Sequence, residues 1–139
     1  MARECGACTA CCTLQGVKEV LGEPKPAGVP CPQLCSDEKG CGIYADRPTE
    51  CATYQCLWIQ GLAGELWDRP DFLGVVFEHQ NQVQPPFILG RVSSGRRVNQ
   101  KIKDLGHQLQ ARYGLRVAFT YPSPDDGWKS TKAVWLEDV

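Results

Sequence analysis

The chain has no stretch of about 18 apolar residues, the length a membrane-crossing helix needs. Its first residues, Met1-Ala2-Arg3-Glu4-Cys5, carry no apolar h-region of a signal peptide. Neither a membrane span nor export is expected, so the expectation is a soluble protein of the cytoplasm. Charge of one sign is also missing. The 15 Lys+Arg against 16 Asp+Glu leave a formal net charge of -1, so nothing global recruits nucleic acid or an anionic membrane. No GxGxxG, P-loop or GxSxG motif is present, and no internal repeat or low-complexity tract. No catalytic residue is assigned on these grounds. Histidine is nearly absent: only His79 and His107 occur, and neither has ligand spacing to a cysteine. His107 falls near the polar side of an expected helix and His79 in the polar run His79-Gln80-Asn81-Gln82, so both read as solvated side chains.

Cysteine, by contrast, is abundant and confined. All nine lie between Cys5 and Cys56 of the 139 residues, and the rest of the chain carries the tryptophans and the alternating apolar segments. In a reducing compartment, clustered thiols bind metal more often than they pair, and an odd count argues against complete internal pairing. The run Cys5-Gly6-Ala7-Cys8-Thr9-Ala10-Cys11-Cys12 is a CxxCxxCC motif, whose two-residue spacings let successive thiolates converge on one ion at a Zn–S distance of about 2.3 Å. On a helix, Cys8 shares a face with Cys11 or Cys12, whereas the adjacent Cys11 and Cys12 point about 100° apart. Two centres are therefore easier to build than one. Cys31, Cys35, Cys41, Cys51 and Cys56 supply the remaining thiols, so eight could fill two four-thiolate sites and leave one spare. The Cys5–Cys11 spacing with a remote Cys31-Pro32 also echoes a ferredoxin arrangement, and tetrahedral sulfur ligation suits zinc and an iron–sulfur cluster alike.

The organisation suggests one domain over residues 1–139, with a cysteine-rich module over 1–56 and a scaffold over 57–139. Gly22, Pro24, Pro26, Gly28, Pro30 and Pro32 make a loop too proline-dense for a helix or a central strand. Pro48 suits the start of a short helix running through Cys51 and Tyr54 to Leu57 and Trp58. On it, Cys51 and Cys56 would sit about 140° apart and would not share an ion unless the helix ended between them. Val98, Ile102, Leu105 and Leu109 have helical spacing within Arg96–Tyr113, with Ser93 or Ser94 as cap and Gly114 just past the end. Phe72–Glu78, Phe87–Val92, Leu115–Tyr121 and Ala133–Leu136 read as strands. The fold class is thus α+β: a small Cys-rich metal-binding module packed on a β-β-α-β-β scaffold.

Taken in order, Cys5-x2-Cys8-x2-Cys11-Cys12, Cys31-Pro32-Gln33-Leu34, Cys41-Gly42-Ile43-Tyr44-Ala45-Asp46-Arg47-Pro48-Thr49-Glu50-Cys51 and Tyr54-Gln55-Cys56 resemble the YkgJ-type cysteine-cluster family, a CxxCxxCC domain associated with chelation of zinc or iron. The resemblance covers residues 5–56. It implies eight metal ligands, Cys5, Cys8, Cys11, Cys12, Cys31, Cys41, Cys51 and Cys56, and makes Cys35 the spare thiol. The family also resembles the cysteine cluster of flagellin lysine N-methylases, which connects the motif to iron–sulfur chemistry and protein methylation.

Two functions follow. In the favoured one, zinc or an iron–sulfur cluster is structural or accessory, closes the N-terminal loops and lets the scaffold meet a protein partner. In the alternative, the chain is an iron–sulfur redox or methyltransferase-like, protein-modifying enzyme component. Arg47 could donate hydrogen bonds to metal-bound thiolates, while Tyr44 and Tyr54 read as packing residues. The basic set Arg91, Arg96, Arg97, Lys101, Lys103, Arg112 and Arg116, against the single acid Asp104, reads as a solvated helix face rather than a nucleic-acid surface.

Overall fold

The computed structural model describes residues 17–25, 31, 56–65, 68–93, 95–121 and 133–139. Its central element is a four-stranded mixed sheet made of β3 (Val75–Gln80), β4 (Phe87–Val92), β5 (Val117–Thr120) and β6 (Ala133–Trp135), ordered in space as in sequence. β3 and β4 form an antiparallel hairpin, whereas β4 and β5 run parallel. A parallel pair needs a crossover. Helix α2 (Gln100–Tyr113) supplies it, and β6 then returns antiparallel to β5. This is the expected β-β-α-β-β order, and the fold is α+β.

Helix α2 forms because Ile102, Leu105 and Leu109 recur on one face and bury against the sheet. Its start lies later than expected. Asn99, not Ser93 or Ser94, is the cap, its Oδ1 accepting a 2.9 Å bond from the Ile102 N–H. Val98 remains just outside the helix, packed against the core. At the far end Gly114 adopts φ 65°, and its N–H returns to the Gln110 carbonyl. The Gln110 side chain then accepts from Val117 N–H at 3.2 Å, tying the helix end to the start of β5.

Between helix and sheet lie Val75, Phe77, Ile88, Val92, Ile102, Leu105, Leu109, Val117 and Phe119, joined by Leu57, Ala63 and Leu136. Each such side chain contributes about 1.5–3 kcal/mol on burial. Phe77 and Phe119 meet edge to face, centroids 6.0 Å apart, over Gly90. A methyl at Gly90 would come within 2.8 Å of the Phe119 ring, so the small residue makes this contact possible. Gly106 similarly admits Leu136, which follows β6 in a 3-10 turn (Leu136–Asp138) and closes the core.

The expected strand from Phe72 begins instead as a one-turn helix, α1 (Pro70–Leu73). Pro70 opens it, and Gly74, at φ 91°, ends it before β3. Arg96 Nη2 donates to the Phe72 and Leu73 carbonyls at the end of that turn. In the N-terminal third, a two-stranded antiparallel ribbon, β1 (Val17–Val20) and β2 (Glu23–Lys25), occupies a stretch where sequence suggested no strand. Its turn has positive φ at both Leu21 and Gly22, the backbone hand that matches strand twist in two-residue hairpins. Pro24 fits because a two-stranded ribbon has edges that need no N–H. Among the described residues, no helix is long and apolar enough to cross a membrane.

Candidate metal centre

Of the eight ligand candidates, Cys31 and Cys56 are among the described residues. Cys5, Cys8, Cys11, Cys12, Cys41 and Cys51 lie outside them, as do the spare Cys35 and Arg47, Tyr44 and Tyr54. Cys31 is half-buried and Cys56 is buried. No group of three or more His, Cys, Asp or Glu able to hold a metal ion occurs among the described residues.

Cys56 stands where the cysteine-bearing third joins the scaffold. Leu57 N–H donates to the Phe77 carbonyl at 2.9 Å, so the chain runs along the outer edge of β3. Leu57 itself enters the core beneath the sheet. Cys56, 9% exposed, packs instead with Trp58 and Val76, and Ile59 lies against them. Trp58 is fixed by its indole N–H, which donates to the Glu65 carbonyl at 2.9 Å. Alternation along β3 puts Val75 and Phe77 on the α2 side and Val76 and Glu78 on the other. The Cys56 cluster therefore belongs to the second face of the sheet.

The expected helix from Pro48 does not include Cys56, Leu57 and Trp58, which form an irregular segment and a turn. The pairing of Leu57 with β3 competes with helical hydrogen bonding there and wins. Helical phase thus does not relate Cys56 to Cys51, and the 140° objection to their sharing an ion falls away.

On the same second face, Arg91 Nε donates to Glu78 Oε1 at 2.6 Å, and Gln80 Nε2 donates to the same oxygen at 3.1 Å. Glu78 is only 8% exposed, so the pair is a partly buried, charge-assisted contact. Thr120, in direct register with Arg91, is 5% exposed, and its hydroxyl has no hydrogen-bond partner among the described residues. The sequence reading did not single out this pair. Its signal was present in the two expected strands, Phe72–Glu78 and Phe87–Val92, but pairing Glu78 with Arg91 requires the hairpin register.

The histidines separate. His107 is exposed on α2, as a solvated side chain should be. His79 lies in β3 rather than in a polar turn: it is half-buried, its ring 4.8 Å edge-on to Tyr113, and its Nδ1 is buried without a hydrogen-bond partner among the described residues. Pairing with β4 outweighs the turn-like composition of 79–82.

The basic residues do not form one solvated helix face. Arg91 pairs with Glu78, Arg96 with the backbone of α1, and Lys101 Nζ with the buried Asp68 at 3.4 Å. Arg112 lies over Tyr113, while Arg116 stacks 3.6 Å from the Trp135 ring centroid and pairs with Glu137. Glu137 is held below the usual carboxylate range, first by a backbone hydrogen bond and then by the hydrogen bond from Arg116. The Tyr121 hydroxyl is pushed up by burial. A shallow cleft of about 170 Å³ lies between the 61–65 loop and Leu105, Gln108, Leu109 and Arg112 of α2; neither Cys31 nor Cys56 lines it.

Comparison with family models, curated proteins and solved structures finds no match to this chain.

Proposed function

We propose that this protein is an accessory or structural metal protein. Cys5, Cys8, Cys11, Cys12, Cys31, Cys41, Cys51 and Cys56 would hold zinc or an iron–sulfur cluster, packing a Cys-rich module of residues 1–56 on the α+β scaffold as a single domain. The support from sequence is the ordered cysteine set, CxxCxxCC followed by four remote cysteines, and its resemblance to the YkgJ-type family. The observation that carries the reading furthest is the position of Cys56: a buried cysteine on a segment clamped to β3. A thiolate ligand benefits from such an anchor, because a fixed donor loses less freedom when the ion binds.

Bound metal would supply folding free energy to a segment rich in proline and glycine, coupling its order to thiolate ligation. A saturated four-thiolate zinc site has no open position for chemistry, which suits a structural role and presentation of the scaffold to a protein partner. The test is anaerobic purification followed by metal analysis and an absorption spectrum. Colourless protein containing zinc supports the structural reading. Brown protein with equal iron and acid-labile sulfide selects the iron–sulfur, redox or protein-modifying alternative. Protein free of either metal contradicts both.

A further inference from the structure

We draw no further inference here: the strongest candidate, the side-chain cluster of Glu78, Arg91 and the buried Thr120 hydroxyl on the sheet face turned away from α2, carries nothing because nothing among the described residues shows what covers that face.

Discussion

The scaffold after Cys56 and the cysteine-bearing third before it are built on different physical principles. The scaffold is held by apolar area: Leu57, Ile88, Ile102, Val117 and Phe119 are all completely buried between one sheet and one helix. The earlier third concentrates the cysteines, with proline and glycine in the loop between them, and this composition supplies little area to bury. What the difference teaches is that stability in the two regions should answer to different perturbations. Removing a methyl group should hurt the scaffold, and removing a thiolate should hurt the module.

The largest expected effect lies with the thiolates. Cys8→Ser and Cys51→Ser should lose metal and become prone to aggregation, whereas Cys35→Ser should retain the full content, measured as metal per chain on variants purified anaerobically in parallel. Loss of metal from Cys35→Ser equal to that from Cys51→Ser would make Cys35 a ligand. Next comes the scaffold's own core. Leu57→Ala removes a completely buried side chain, and denaturant unfolding of the region after Cys56 should show a loss of about 2–5 kcal/mol. A value near zero would mean that this core does not carry the scaffold.

A smaller effect is expected at the helix cap. Asn99→Ala deletes the bond to Ile102 N–H and should lower scaffold stability by about 1 kcal/mol without altering metal content. The smallest effect concerns Glu137. Its carboxyl lies below its ordinary value of 4.5 in the folded chain, so its contribution is present above that value and fades as the pH falls through the lower folded one. Arg116→Gln should flatten the pH dependence of unfolding slightly on the acid side only. Salt should do the same, because both partners are more than half exposed.

How much of this was legible in the sequence differs between the two regions for the same reason. The ββαββ order could be read because period-2 and period-3.6 patterns are local properties of the chain, as at Ile102, Leu105 and Leu109. Boundaries were less legible. Phe72 looked like a strand residue until Pro70 and Gly74 were seen to frame a helical turn, and the helix is capped by Asn99 rather than by either of the serines expected to do so. The β1–β2 ribbon was hidden by Gly22 and Pro24, which signal a loop unless the edge of a two-stranded ribbon is considered. His79 was hidden by the polar residues after it.

The candidate site is divided in the same way. Cysteine spacing is local and was readable, so a list of ligands could be written. Which thiolates share an ion depends on how distant segments converge, and spacing does not encode that. The Glu78–Arg91 pair is an intermediate case: each residue was placed on an expected strand, but their meeting depends on the register set by the hairpin between them.

The most direct test of the comparison is hydrogen exchange, read segment by segment, before and after verified removal of the metal by a strong chelator. The account predicts that residues 1–60 lose protection while β3, β4, α2 and β5 keep most of theirs. Protection over residues 1–60 that is unchanged in the metal-free protein would contradict it.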